Sequence, residues 1–106
     1  MFNSLEEIKE LGINIYSFQE DNIDELTFIN IFNGHFDADT NDKYILNYIA
    51  IYYLFVIKDN EIAKKYYLKS VEQGHIKAIF NLGKYYADIE KDYDMMEKYH
   101  NMAISK

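Results

Sequence analysis

A chain of 106 residues, 49% apolar and 17% aromatic, fits one small domain that must stand on a single packed core. Four Gly and no Pro leave few turn signals for an all-β fold, and the lack of Cys excludes disulfides, thiolate nucleophiles and zinc–thiolate sites. The net charge of −7 is unevenly placed: residues 1–42 hold ten acids and one lysine, the remainder eight acids and ten lysines, which disfavours phosphate-neutralising contact with nucleic acid and suits a basic protein partner.

The chain opens without a basic segment leading into an apolar run, so no secretory signal is expected. Ser4 to Glu7 has the S-x-x-E form of a capping box, and Leu5, Ile8 and Leu11 follow at helical spacing before Gly12, which predicts a short first helix. Ile13 to Phe18 reads as an extended connector packed on the body. Asn22 with Glu25 repeats the capping-box form. Ile23, Leu26, Phe28, Ile29, Ile31 and Phe32 then predict a second helix ending at Asn33-Gly34, with a strand over the same residues as the weaker alternative.

Residues 35–41 form a polar loop in which Asp39, Thr40 or Asn41 could cap the next helix. Asp37, Asp39 and Asn41 imitate the alternating oxygens of a calcium loop. Asp42 stands where the turn glycine belongs, however, and Tyr48 stands where the bidentate Glu belongs, so capping is the better reading.

From Asp42 the apolar pattern is nearly continuous. Ile45, Ile49, Tyr52, Tyr53 and Val56 form one stripe, with Leu46, Ala50, Ile51, Leu54 and Phe55 around it, predicting a central buried helix. The run from Tyr44 to Ile57 contains Asn47 and is short of the roughly 20 residues a membrane span needs. Asp59 or Asn60 caps a following helix to Gln73, Gly74 ends it, another helix reaches about Ile89, and Asp92 opens the last, which carries Met95, Met96, Tyr99, Met102 and Ala103.

Displacing the chain by 33 residues superposes Tyr52 on Tyr85, Tyr53 on Tyr86, Lys58 on Lys91, Asp59 on Asp92, Lys65 on Lys98 and Tyr66 on Tyr99, so residues 43–106 read as two copies of one helix pair. Within them Ala63, Tyr66, Tyr67, Lys69, Ser70, Glu72-Gln73-Gly74, Ala78, Leu82-Gly83 and Tyr86 stand in the order and spacing of the Sel1-like repeat, a relative of the tetratricopeptide repeat. The resemblance covers residues 63–86 best, extends over 43–106, and is absent from 1–40. The period of 33 is short for the family, and Tyr66 stands where Trp is frequent.

The resemblance implies an all-α fold: a short right-handed solenoid of antiparallel helix pairs, here with residues 1–42 as an acidic N-terminal helical cap. It assigns Ala63, Tyr66, Gly74, Ala78, Leu82, Gly83 and Tyr86 to the framework. The Lys-, Asn- and Ile-rich wording, with no Arg, is similar to versions from giant DNA viruses and points to an A/T-rich genome and a cytoplasmic protein.

No constellation names a reaction. His35, His75 and His100 lack metal-ligand spacing and are expected at the surface; Ser4, Ser17, Ser70 and Ser105 have no nucleophile-elbow glycines; no phosphate-binding loop occurs. No catalytic residue, cofactor or metal is therefore expected.

One contrast carries functional content. Lys77, Asn81, Lys84 and Asp88 are polar where their counterparts Tyr44, Tyr48, Ile51 and Phe55 are apolar. Either the segment around Ile13, Tyr16, Phe18 and Phe28 covers the apolar set, which is the preferred reading, or that set is an exposed binding patch.

The expected function is non-enzymatic protein–protein binding, with Asn81, Lys84, Asp88, Tyr48 and Phe55 as candidate contacts. The alternative is an acidic decoy that engages a basic protein through residues 1–42. Since the family would supply another helix pair after Lys106, self-association at the open end through Met95 and Met102 is a further expectation.

Overall fold

The computed structural model describes residues 1–14 and 17–105. Among them the chain is all-helical: α1 (Leu5–Lys9), α2 (Ser17–Glu20), α3 (Glu25–Phe32), α4 (Lys43–Tyr52), α5 (Asn60–Glu72), α6 (Ile76–Tyr85) and α7 (Tyr93–Ile104). Helices α4 and α6 each run on into a five-residue π turn, Tyr53–Ile57 and Tyr86–Glu90. From α3 onward each helix packs against its neighbours in sequence, α1 lies on α3, and the molecule measures 39 × 24 × 24 Å.

The helix starts follow local chemistry. Ser4 accepts from the Glu7 amide, Asp59 from Ile62 and Asp92 from Met95, as the sequence pattern predicts. Two caps differ. Asp24 caps α3 by accepting from Thr27, while Asn22 takes a left-handed conformation (φ 64°) that ends α2, a role Asn tolerates better than most residues. Asp42 caps α4 by accepting from Tyr44 and Ile45, leaving Asp37 to bond the Asp39 amide and Thr40 to bond the Asp42 amide inside the loop.

The expected connector also differs in part. Ser17 and Phe18 are helical, and Ile15 and Tyr16 lie outside the described residues.

The 33-residue displacement recurs in the backbone. The cap at Asp42, α4, its π turn and the start of α5 are matched 33 positions later by His75, α6, the second π turn and the start of α7. Both π turns close on a left-handed lysine, Lys58 at φ 65° and Lys91 at φ 55°, and in both the next amide returns to a tyrosine carbonyl at 2.9 Å (Asp59 to Tyr53, Asp92 to Tyr86).

Two glycines have distinct jobs. Gly74, at φ 79°, turns the chain from α5 to α6. Gly83 lies inside α6, where a methyl group would sit 2.6 Å from His100 Cδ2 on α7, so its lack of a side chain leaves the space in which the imidazole lies against α6.

One apolar cluster joins both ends of the chain. Ile8, Phe18, Phe28, Ile31 and Phe32 pack with Leu46, Tyr48, Ile49, Tyr67, Ile79 and Leu82. The anticipated framework residues Ala63, Tyr66, Ala78, Leu82, Gly83 and Tyr86 are all buried. Burial of so much aliphatic and aromatic surface is the main stabilising term, about 25 cal/mol for each Å² removed from water.

At the N-terminus Asn33 holds the chain with both ends of its amide, accepting from the Phe2 N–H at 2.6 Å and donating to the Phe2 carbonyl at 2.8 Å. No helix of the described residues is long and apolar enough to cross a membrane.

Candidate functional site

A cleft of about 960 Å³ runs between Gly12, Ile13, Asn14 and Ser17 on one side and α4, α6 and their π turns on the other. All five candidate contacts line it: Tyr48 and Phe55 on the first helix and turn, Asn81, Lys84 and Asp88 on the second. Helical spacing explains their alignment, since residues 48, 51 and 55, and likewise 77, 81, 84 and 88, fall on one face of their helices.

Cover by the N-terminal segment stops part-way along the apolar set. Tyr48 is 1% exposed; its ring meets Phe28 edge-on at 5.2 Å, and its hydroxyl bonds Ser17 Oγ at 2.7 Å and donates to Asp21 Oδ2 at 2.8 Å. Burial, with the Asp21 carboxylate adding to it, raises the Tyr48 pKa well above the usual phenol range. Tyr44 is half-buried against His75, and Ile51 is buried, but Phe55 remains 39% exposed. The N-terminal segment therefore covers Tyr48 and leaves Phe55 open to solvent.

The polar set divides in the same way. Lys77 Nζ reaches Glu20 at 3.2 Å and Asp21 at 3.3 Å, tying the acidic segment to α6. Burial works against its charge, but the two carboxylates outweigh it and its pKa is raised. Asn81 Nδ2 donates to Asn47 Oδ1 at 3.0 Å. Lys84 and Asp88 are exposed, and no ion pair joins either to a described residue.

Several residues of the cleft went unsingled in the sequence. Phe80 is 45% exposed, Ile89 is 42% exposed, and Lys58 stands at the end of the first π turn. Asn47 is 2% exposed on the cleft floor; its signal was a lone amide in an otherwise apolar run.

Other polar groups are spent on structure. Ser70, fully buried, donates to the Lys43 carbonyl at 2.7 Å, and Lys64 pairs with Glu90 at 2.9 Å while lying over the Tyr86 ring. Burial, helped by Glu90, pushes the Tyr85 pKa up to about 12. The Lys64 ammonium beside it, and then the Tyr85 hydroxyl, lower that of Glu90.

His75 corrects the surface expectation: it is 5% exposed, caps α6 without a side-chain hydrogen bond, and has an Nε2 with no partner among the described residues. His35 is exposed and His100 half-buried. Among the described residues no group of three His, Asp or Glu is placed to hold a metal ion. Met95 and Met102, expected at an open end, are partly buried against the core; the exposed apolar residues of α7 are Tyr93 and Ile104.

No family profile, curated protein or solved structure matches the chain.

Proposed function

We propose that this chain is a non-enzymatic protein-interaction module that holds a protein partner in the cleft between the N-terminal segment and the first helices of two Sel1-like helix pairs. The observation that carries the reading is the gathering of Tyr48, Phe55, Asn81, Lys84 and Asp88, residues far apart in sequence, around one opening where Phe55 and Phe80 stay exposed beside charged groups. Apolar surface rimmed by polar groups is what a partner site offers. The 33-residue recurrence of caps, π turns and helix starts supports the repeat architecture on which the reading depends. A reducing, cytoplasmic setting suits a chain without cysteine.

The acidic-decoy alternative has less behind it, because Glu20 and Asp21 are engaged by Lys77, and Asp24 and Asp42 cap helices.

Affinity capture with the wild-type chain and with a variant carrying Asn81→Ala, Lys84→Ala and Asp88→Ala tests the reading. Partners that depend on the cleft are lost from the triple variant and survive raised salt. Recovery of the same proteins by both chains overturns the reading, and loss of every contact with salt alone favours the acidic segment.

A further inference from the structure

We infer that the occupant of the cleft is an extended, acidic peptide segment whose main chain is read by the side-chain amides of Asn47 and Asn81 and whose carboxylate is met by Lys84 and Lys58. This rests on the reading of the cleft as a partner site and goes on to name the chemistry of the partner.

Asn47 is 2% exposed, yet its amide nitrogen is not among the buried polar atoms left without a partner, so that nitrogen opens onto the cleft Asn47 lines. Its oxygen accepts from Asn81 Nδ2 at 3.0 Å, yet among the described residues nothing accepts from its own nitrogen and nothing donates to the Asn81 oxygen. Interchanging oxygen and nitrogen in both amides changes which residue donates and leaves the same kind of remainder at the cleft, a free NH2 on one residue and a free C=O on the other. Such a remainder can meet the N–H and C=O of one extended residue, which point the same way, as those of a single trans peptide unit do not. The chain already uses this pairing internally, where the Asn33 amide takes the N–H and the carbonyl of Phe2 together.

The walls and rim fit the rest of such a segment. Phe55, Phe80 and Ile89 leave apolar surface open in the same cleft for the side chains of such a segment. Of the lysines that line the cleft, Lys77 is held by Glu20 and Asp21, while Lys58 and Lys84 have no carboxylate of the described residues within 4.0 Å; Asp88 is the acid facing them. On a chain of net charge −7, these two lysines facing one acid are where the cleft can meet a carboxylate.

Random-sequence peptides displayed on phage and selected on the full chain provide the probe, the enriched sequence being synthesised and titrated by calorimetry. Enriched peptides are expected to join an apolar residue to Asp or Glu. Asn81→Leu should weaken binding about tenfold or more, and Lys84→Glu by a similar factor that shrinks as salt rises. N-methylation of the peptide nitrogen that bonds the pair should cost the wild type as much as Asn81→Leu does, with no added cost in that variant. The methylated peptide tests the amide pair on an unaltered fold.

Enrichment of peptides without acids, or affinities indifferent to both Asn81→Leu and N-methylation, overturns the inference. It does so while leaving the cleft reading intact if the triple variant still loses captured proteins. A cleft filled by a second copy, seen as a concentration-dependent dimer in light scattering that the peptide does not dissolve, overturns it as well.

Discussion

Tyr53 lies face to face with Tyr66, ring centroids 5.6 Å apart and planes 4° from parallel, and 33 residues later Tyr86 and Tyr99 repeat the pair at 5.7 Å and 5°. Each stack fastens a π turn to the helix that follows it, at the point where the chain reverses. Tyr66→Ala and Tyr99→Ala should each cost about 3 kcal/mol in urea unfolding, and Tyr66→Phe and Tyr99→Phe less than about 1 kcal/mol. Similar losses at the two positions are expected because the two joints are built alike. A loss confined to one of them would show that the other stack is incidental.

Gly83 and His100 should be coupled. Gly83→Ala brings a methyl group to 2.6 Å from His100 Cδ2 and 2.8 Å from Nε2, so the imidazole must swing away and part of the α6 to α7 contact is lost. Alone the substitution should destabilise by about 1 kcal/mol. In a His100→Ala background it should stabilise by up to about 1 kcal/mol, the ordinary helix preference for Ala over Gly. A double-mutant cycle measured by thermal unfolding reads the coupling directly.

His75 should make the fold sensitive to mild acid. Burial lowers its pKa below the ordinary 6.5, with Lys77 and Lys43 acting in the same sense and Asp21 and Asp42 against it. Well above pH 6.5 the histidine is neutral in both states and adds no pH dependence. As pH falls below 6.5 the unfolded chain takes up a proton that the folded chain refuses, and stability drops until the folded pKa is passed. His75→Asn, a non-titrating residue favoured at helix N-caps, should flatten unfolding midpoints across that interval. Acid loss at lower pH, where the depressed carboxyls of Asp24 and Glu90 take up protons, should remain. An unchanged slope between pH 6.5 and 5 would remove His75 from the account.

Lys77 anchors the acidic segment through Asp21, which is only 8% exposed and also accepts from Tyr48. Lys77→Met should cost about 1–2 kcal/mol, since it leaves a mostly buried carboxylate with one partner fewer, while the half-exposed ammonium limits the loss. Hydrogen exchange should quicken at residues 17–21 before it quickens in α4. Uniform acceleration over the whole chain would mean that the N-terminal segment has no separate attachment.

Features that depend on a few adjacent residues were legible in the sequence. Asp59, Asp92, Asn33-Gly34 and Gly74 punctuate helices through their own side chains or lack of one, and each sits where the pattern put it. The displacement by 33 residues was legible too, because tyrosines and aspartates recur in register.

What stayed hidden depends on competition or on distance. Asp24 and Asp42 took caps that Asn22 and the 39–41 segment also offered, and nothing local ranks one such oxygen above another. The left-handed Lys58 and Lys91 carry no compositional sign, since lysine has no preference for that conformation. His75 could have been found by its register, as it occupies the position of Asp42 in the second copy. The five cleft residues emerged from a contrast between copies, whereas Asn47, Phe80 and Lys58 needed the third dimension to be seen as their neighbours.

The π turns at residues 53–57 and 86–90 also bear on descent. A π turn holds one residue more than an α turn needs, so a single deletion there can relax to α geometry while the helices on either side stay seated. The same deletion within α5 would rotate every later side chain by about 100° and expose Tyr66, Tyr67 and Ser70, which now face inward. Changes of length are thus tolerated at two joints and purged between them, so lineages of this chain should differ in spacing at those joints while the helices keep their register.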